Sequence, residues 1–222
     1  MRYPSVIAID GPVASGKTTV GRALARRLGY AFVDTGVYYR AVTVAALDAS
    51  TPLDDEAALT RLADGLEVRL GDEGTSVSIR GVDITSRLRT PEVDAAVSAV
   101  AKVGGVRRAM VAQQRATAKG GDVIMVGRDI GTIVLPNAAK VYLDASPEER
   151  TRRRFRELAG TDQARSRAEV LENIEMRDAI DAGRTDSPLR IAEDARRIVT
   201  DGLDVEAVVD VVLAVLGTEE GE

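Results

Sequence analysis

A nine-residue segment near the beginning of the chain matches the pattern of a phosphate-binding loop. It has two glycines five positions apart, followed by a lysine and two hydroxyl residues. In such a loop the backbone N–H groups surround the β-phosphate of a nucleotide, and the lysine reaches the β- and γ-phosphates. A hydroxyl next to the lysine helps to hold Mg²⁺, a role that either threonine can take. The segment therefore predicts a nucleoside triphosphate site formed by Gly11, Pro12, Val13, Ala14, Ser15, Gly16, Lys17, Thr18 and Thr19.

The residues on both sides of this loop favour the same interpretation. The apolar run Val6–Ile9 predicts a strand that is buried on both faces. A helix that begins at Lys17 and runs to Leu28 would add free N–H groups and the positive end of its dipole. A glycine turn that only links a strand to a helix is the alternative. The match at eight positions, in the order strand, loop and helix, makes that alternative the weaker one.

Composition limits the chemistry that this chain can use. Its 222 residues suit one domain with a small insertion, and 45% of them are hydrophobic, which is enough to fill a core. The chain has no cysteine and no histidine, so catalysis must depend on carboxylates, arginines, lysine and metal. The net charge of −5 gives no basic field toward nucleic acid or membranes, and no targeting segment is visible. We expect a cytoplasmic protein that binds neither nucleic acid nor membranes.

Strand and helix patterns alternate along the chain, which predicts an α/β fold with a central parallel sheet covered on both faces. Further core strands are predicted at 30–34, 122–126, 140–144 and 197–201. Helices are predicted at 37–49, 54–66, 93–103, 106–119, 168–182 and 205–216, with Gly104 and Gly105 dividing the third from the fourth. Residues 66–90 alternate apolar and polar, which predicts a small antiparallel sheet with a hairpin turn at 72–74.

Arginine is concentrated where the predicted strands end. Residues 34–36 and 127–129 both follow core strands, and ligands of open α/β sheets bind at the carboxyl ends of the strands. Guanidinium groups there match the oxygens of a second phosphate two at a time. Transfer of a phosphoryl group needs in-line positioning and positive charge, which a site without histidine can supply. The arginines concerned are Arg40, Arg107, Arg128, Arg177 and Arg184.

Two features leave alternatives open at this point. The arginines at 150–156 form either a mobile lid over the donor phosphates or a solvated helix face. A guanine-reading Asn-Lys-x-Asp run is absent from the sequence, which argues against a regulatory GTPase. A kinase for another acceptor, such as UMP or AMP, remains an alternative. So does a binding module that responds to ATP without turning it over, although the set of arginines for a second phosphate disfavours it.

Four motifs together resemble those of bacterial cytidylate kinases of the nucleoside monophosphate kinase family. The motifs are IAIDGPVASGKTT, DTGVYYR, VGRDIGTIVLP and RDAIDAGRTDSPL, and they occur in the family's order over nearly the whole chain. The resemblance implies transfer of the ATP γ-phosphate to CMP or dCMP with Mg²⁺, by a protein that is expected to be a monomer. It also implies a P-loop core domain at 1–35 and 120–222, an acceptor-binding region at 36–119 with the small sheet, and a lid at 150–167.

The resemblance also implies roles for individual residues. Thr35, which stands where the family usually has serine, would lie near the cytosine together with Ser98, Arg107 and Asp129. Arg40 and Arg128 match phosphate-holding positions, while Arg177 and Asp181 match contacts to the sugar, with Arg184 beside them. Thr18 departs from many relatives, which have glycine before the threonine. The residues expected to act in catalysis are Lys17, Arg128 and, in the lid, Arg153.

Overall fold

The computed structural model describes residues 3–71, 76–160 and 164–217, with eight strands and eight helices within those ranges. The strands are β1 (Val6–Asp10), β2 (Ala31–Asp34), β3 (Val68–Leu70), β4 (Val77–Ile79), β5 (Val82–Asp83), β6 (Val123–Gly127), β7 (Ala139–Asp144) and β8 (Arg196–Val199). The helices are α1 (Lys17–Leu28), α2 (Gly36–Asp48), α3 (Glu56–Asp64), α4 (Pro91–Ala101), α5 (Gly104–Thr117), α6 (Pro147–Leu158), α7 (Arg167–Gly183) and α8 (Val205–Leu216).

Five strands form a central sheet in the order β2-β6-β1-β7-β8, and every neighbouring pair is parallel. Side chains alternate between the two faces, as strand geometry requires. Ile7 and Ile9 pack with α1 and α8 on one face, whereas Ala8 packs with the helices that follow β2 on the other. The expected α/β fold, with a parallel sheet between two layers of helices, is confirmed.

The small antiparallel sheet expected within 66–90 is also confirmed. Strands β3, β4 and β5 pair antiparallel, with Val68 opposite Ile79 and Ser78 opposite Asp83. Its buried side chains, among them Val77 and Ile79, join the same apolar cluster as α2 to α5. The predicted hairpin turn at 72–74 lies outside the described residues. The small sheet therefore extends one helical layer of the protein rather than standing apart from it.

The prediction that α5 begins after the glycine pair was wrong, because both glycines lie in its first turn. A Cβ on Gly105 would lie within 2.1–2.7 Å of the Thr60 side chain on α3, and one on Gly104 would lie 2.0 Å from Asp186. The glycines therefore let α5 approach its neighbours closely, at the cost in helix propensity that glycine carries. Ser166 and Glu169 form a capping box that begins α7 at Arg167, one residue before the predicted start at 168.

A third, smaller apolar cluster joins α6 and α7 to the loop after β1. Val13 is buried with Leu158 of α6 and with Val170 and Ile174 of α7. The two helices thus pack against the outside of the predicted phosphate loop. In the described part of the chain, no helix combines the length and the apolar character that crossing a membrane requires.

The parallel strands end at one level, and this sets the position of the candidate site. Asp10 at the end of β1 is in register with Gly127 of β6, and Asp34 at the end of β2 is in register with Val126. The loops that follow β1, β2 and β6 therefore leave the sheet at the same edge. These loops contain the three motifs that the sequence analysis assigned to nucleotide binding.

Candidate active site

The carboxyl edge of the sheet opens into a cleft of about 370 Å³. Arg40, Arg107, Arg128 and Arg184, which come from four separate segments, all line it. Of the residues predicted for the site, Gly11, Pro12, Ser15 and Arg153 do not face the cleft. The others line it: Val13, Ala14, Gly16, Lys17, Thr18, Thr19, Thr35, Arg40, Ser98, Arg107, Arg128, Asp129, Arg177, Asp181 and Arg184.

The phosphate loop needs glycine at two positions, for different reasons. A Cβ on Gly11 would lie 2.1 Å from the carbonyl oxygen of Leu143, so the loop could not approach β7 with any other residue there. Gly16 has φ +93° at the N-cap of α1, a left-handed conformation that glycine adopts without strain. The N-terminus of α1, where Lys17 begins the helix, consequently points its free N–H groups at the cleft, as anion sites do.

Lys17 is buried at the floor of the cleft, with 6% of its surface exposed. Its Nζ donates to the carbonyl oxygen of Pro12 at 2.6 Å and to Ser15 Oγ at 3.2 Å. Burial, and next the charge of Arg128, lower the pKa of Lys17 well below its ordinary value, and the carboxylate of Asp10 opposes them. An anion in the cleft would favour the charged ammonium further. A bound anion would therefore offset the cost of burying this ammonium.

Two oxygens beside the loop fit a hard cation. Thr18 Oγ1 donates to Asp34 Oδ2 at 3.1 Å, and both side chains line the cleft. Thr19 also lines the cleft but is exposed. Within the described residues, no three acidic side chains gather where they could hold a metal. A hydroxyl and one carboxylate match Mg²⁺ that keeps several waters and takes its remaining ligands from phosphates.

The far end of the cleft is closed by a buried ion pair. Arg107 on α5 donates from Nη2 to Asp129 Oδ2 at 2.6 Å, and their side chains are 2% and 4% exposed. Arg107 also donates to the carbonyl oxygen of Ala101 at 3.1 Å, and its guanidinium lies 4.8 Å from the centroid of the Tyr39 ring. These contacts fix the plane of Arg107. Within the described ranges no donor is bonded to Asp129 Oδ1, so this oxygen could accept from a ligand.

The predicted hydroxyl residues lie on the wall of the same region. Thr35 Oγ1 is buried and donates to the carbonyl oxygen of Val126 at 2.9 Å, which leaves its oxygen lone pairs as acceptors. Ser98 is half-buried on α4 and lines the cleft. The departure from serine at position 35 therefore keeps the hydroxyl inside the site. The additional methyl group packs in the interior.

A chain of charged groups crosses the middle of the cleft. Asp181 on α7 accepts from Arg128 Nε at 2.8 Å and also pairs with Arg184. Burial alone would raise the pKa of Asp181, but the charges of Arg128 and Arg184 hold it below its ordinary value. On the opposite side, Arg40 of α2 forms an ion pair with Asp94 at 2.7 Å and donates to the carbonyl oxygen of Leu88 at 2.6 Å. The guanidiniums are thus held in place by carboxylates and carbonyls.

Arg177 differs from the arginines around it. Among the described residues, no carboxylate lies within ion-pair distance of its guanidinium. Burial, and next the charges of Arg128 and of Arg40 beyond it, lower the pKa of Arg177 to about 10, while Asp181 opposes this. Arg177 remains charged at neutral pH and forms no ion pair with the described carboxylates, so this part of the cleft attracts an anion.

Arg153 is the one predicted catalytic residue that the structure places away from the cleft. Its Nη1 donates to the carbonyl oxygen of Ser15 at 3.2 Å, and its Nη2 donates to that of Thr200 at 2.6 Å. Arg153 therefore supports the phosphate loop from outside. Its neighbour Arg154 lines the cleft instead.

Several residues of the site were missed by the sequence analysis. Asp10 is buried beneath the loop and accepts from the backbone N–H of Ile130 at 2.9 Å and of Gly131 at 2.7 Å. Tyr39 and Asp34, although they lie in a quoted motif, were not assigned roles. A carboxylate that directly ends a buried strand, as Asp10 and Asp34 both do, was the available signal. Nothing in the sequence distinguishes Arg154 from the arginines beside it.

The fold and the site together define a P-loop phosphotransferase. A solved structure of shikimate kinase from Bacteroides thetaiotaomicron has the same fold, with a TM-score of 0.50 and 16% identity over 95% of this chain and 97% of that one. The family model for cytidylate kinase matches residues 7–218, and the chain belongs to the cytidylate kinase family. The family resemblance drawn from the four motifs is thereby confirmed.

Relatives agree with this assignment over their full length. Cytidylate kinase from Geobacillus sp. (strain WCH70) is 46% identical to the chain over 224 residues, which cover 100% of both proteins. Cytidylate kinase from Carboxydothermus hydrogenoformans is 43% identical over 214 residues, which cover 95% of this chain and 96% of the relative. The chain therefore spans the whole length of proteins of this family.

Proposed function

We propose that the protein transfers the γ-phosphoryl group of ATP to CMP or dCMP and releases CDP or dCDP together with ADP. A phosphate oxygen of the acceptor attacks the γ-phosphorus, and the bond from that phosphorus to the β–γ bridging oxygen breaks. The observation that carries the proposal is the single cleft that joins the phosphate loop to the buried Arg107–Asp129 pair. One end suits a triphosphate, and the other end suits a base with both donor and acceptor groups.

At the donor end, the chain's own groups supply position and charge. The N–H groups at the start of α1 and the ammonium of Lys17 would surround the β- and γ-phosphates. Arg128 lies between the two ends, where it would neutralise charge on the group in transit. Thr18 and Asp34 would hold Mg²⁺, which when bound neutralises part of the triphosphate charge. Arg153 would contribute by keeping the carbonyl of Ser15, and with it the loop, in place.

At the acceptor end, recognition follows from donors and acceptors. Asp129 Oδ1 would accept from the 4-amino group of cytosine, and the Arg107 guanidinium would donate to the ring acceptors of the base. Thr35 and Ser98 would add hydroxyl contacts near the base. Uracil places a carbonyl oxygen where cytosine has its amino group, so it would face a carboxylate oxygen without a proton between them. The ion pair therefore favours cytosine.

The remaining arginines would serve the acceptor's phosphate and sugar. Arg40 and Arg128 would hold the phosphate, while Arg177 and Asp181 would contact the sugar with Arg184 beside them. In this proposal residues 1–35 and 120–222 form the core, residues 36–119 bind the acceptor, and residues 150–167 form the lid. The protein would act as a cytoplasmic monomer without a nucleic-acid or membrane partner.

The test is a panel of acceptors assayed in parallel. The protein is incubated with Mg-ATP and CMP, dCMP, UMP or AMP separately, and ADP release is followed. We expect turnover with CMP and dCMP and much less with the other two. A preference for UMP or AMP would instead support a kinase for another acceptor. ATP binding without turnover of any acceptor would support a nucleotide-responsive binding module.

A further inference from the structure

Polar contacts on its outer side hold the phosphate loop in place, and the proposed function assigns them no role. Val13 N donates to Asp178 Oδ1 at 3.1 Å, and the carbonyl oxygen of Val13 accepts from Arg150 Nη1 at 3.2 Å. The same Nη1 of Arg150 pairs with Asp178 Oδ2, which closes a ring of three residues. We call these three residues, Val13, Arg150 and Asp178, the loop clasp. The backbone N–H and the backbone carbonyl of Val13 are thus both hydrogen-bonded to side chains, one from α7 and one from α6.

The clasp is firmly anchored in its surroundings. Arg150 is buried at the start of α6, where its Nε also donates to the carbonyl oxygen of Ala145 at 3.1 Å. The side chain of Val13 is buried in the apolar cluster with Val170 and Ile174 of α7. Polar and apolar contacts therefore act at the same residue. A displacement of Val13 cannot occur without a displacement of α7 or the loss of these contacts.

Helix α7 also carries acceptor-side residues of the cleft. Arg177 precedes Asp178 directly, and Asp181 follows it by one turn. Both line the cleft, and Asp181 connects to Arg128 on the loop after β6. Asp178 meanwhile contacts the donor-side loop from its outer face. One rigid helix thus contacts both proposed nucleotide sites, and Asp178 is its polar contact with the donor loop.

From this geometry we infer that Asp178 is a positioning residue that couples the donor and acceptor sites, an inference that rests on the proposed function. A triphosphate that orders the loop around Val13 fixes α7 through Asp178, and α7 then holds Arg177 and Asp181 in place for the acceptor. Coupling of this kind is a free energy shared by both ligands, so each raises the affinity for the other by the same factor. Asp178 touches neither nucleotide in this arrangement.

The test measures, without turnover, the factor by which an ATP analogue raises the affinity for CMP. CMP is titrated by calorimetry into the full-length protein, with and without a saturating imido-bridged ATP analogue and Mg²⁺. In the parent protein we expect the analogue to tighten CMP binding by roughly fivefold or more. In Asp178→Ala the factor should fall to about one, and kcat should fall roughly ten- to hundredfold because the reactants are misplaced. The affinity for CMP alone should stay within about threefold of the parent's.

Two further variants separate coupling from a loss of folding. Asp178→Asn keeps an acceptor for Val13 N but removes the charge that pairs with Arg150, so an intermediate factor is expected. Glu175→Gln neutralises an exposed carboxylate on the same helix and should leave the factor at the parent value. If Asp178→Ala and Asp178→Asn both retain the parent's factor, even with a lower melting temperature, the residue is only structural and the inference fails.

An absence of coupling in the parent would also overturn the inference. Such a result is distinguishable from failure of the proposed function, which would appear as absent CMP binding and absent ADP release in the parent. Binding of both ligands with independent affinities would therefore contradict the coupling role alone. Reduced coupling in the Asp178 variants together with a normal Glu175→Gln would support it.

Discussion

Lys17 gives a prediction about the donor end of the cleft. Its ammonium is buried, its pKa is lowered chiefly by burial, and it donates to two oxygens of its own loop. Phosphate oxygens would replace those partners and stabilise the charge that transfer requires. Lys17→Ala should therefore lower kcat by roughly 10²–10³-fold. CMP affinity, measured by calorimetry, should change by less than about threefold, because the acceptor end contains no contact to Lys17.

Lys102→Ala is the matched control, since Lys102 is exposed and lies at the end of α4. It should retain both kcat and CMP affinity. Equal losses of transfer and CMP binding in Lys17→Ala would show that the donor end has been assigned wrongly.

Asp10 gives a prediction about pH. Burial raises its pKa from 3.8 to about 6, although the N–H groups of Gly131 and Ile130 lower it. The folded state thus holds this proton more tightly than the unfolded chain does. The associated stability is complete below about pH 4 and is lost as pH rises through about 6. The side chain of Asp10→Asn does not titrate, so the variant lacks this effect. As pH rises from about 4 to above about 6, the parent's free energy of unfolding should fall by up to about 3 kcal/mol relative to the variant's.

Urea unfolding of both proteins at several pH values checks this prediction. The variant also loses stability at every pH, because its amide replaces one of the two carboxylate oxygens that accept from Ile130 and Gly131. The prediction concerns the change in the difference with pH. Curves that stay parallel from about pH 4 to about pH 7 would contradict it.

At the scale of elements, the sequence predicted those helices and strands whose position depends on residues close together in the chain. The apolar runs of β1 and β6 and the glycine loop before α1 carry their signals within a few neighbouring residues, and these elements lie where they were expected. The start of α5 could not be predicted, because Gly105 is explained by a contact with Thr60 and Gly104 by one with Asp186, both distant in sequence. The choice between Arg153 and Arg154 likewise depends on how α6 is rotated against the phosphate loop. Residues one position apart on a helix face different neighbours.

The crossing of α3 and α5 provides the test of this contact. Gly105→Ala would place a Cβ 2.1–2.7 Å from Thr60, which overpacks the crossing at a cost of about 1–3 kcal/mol. Alanine returns up to about 1 kcal/mol through its higher helix propensity. We expect a net loss of about 1–2 kcal/mol in the free energy of unfolding, measured with urea.

A second substitution and a control identify the cause. In the Thr60→Gly background the clash is removed, so Gly105→Ala should become neutral or stabilising. Gly183→Ala, at the end of α7 with no atom within 4 Å of the added Cβ, should not destabilise the parent. A similar loss from Gly105→Ala with and without Thr60 would show that the crossing is not responsible.

At the scale of the whole molecule, the cleft concentrates positive charge that the fold must tolerate. The net charge of the protein is −5, yet seven cationic side chains besides Arg177, counted among the described residues, line this cleft. Most of the site's arginines form ion pairs with carboxylates. Burial and the charge of Arg128 lower the pKa of Arg177 to about 10. Because the unfolded chain has the higher, ordinary pKa of an arginine, keeping Arg177 charged in the folded state costs up to about 3 kcal/mol at neutral pH.

Arg177→Met should therefore stabilise the protein while weakening its function. The methionine retains most of the apolar contacts of the arginine stem and removes the repelled charge, so the free energy of unfolding should rise by about 1–3 kcal/mol. The kcat/KM for CMP should fall by roughly tenfold or more, because the acceptor's sugar loses a donor and its phosphate loses a nearby positive charge. Arg26→Met, at an exposed position on α1, should change neither quantity. If Arg177→Met were less stable than the parent, the arginine would stabilise the fold through its packing, and the prediction would be wrong. The charge of the cleft would then not lower the stability of the protein in return for the capacity to bind two phosphates.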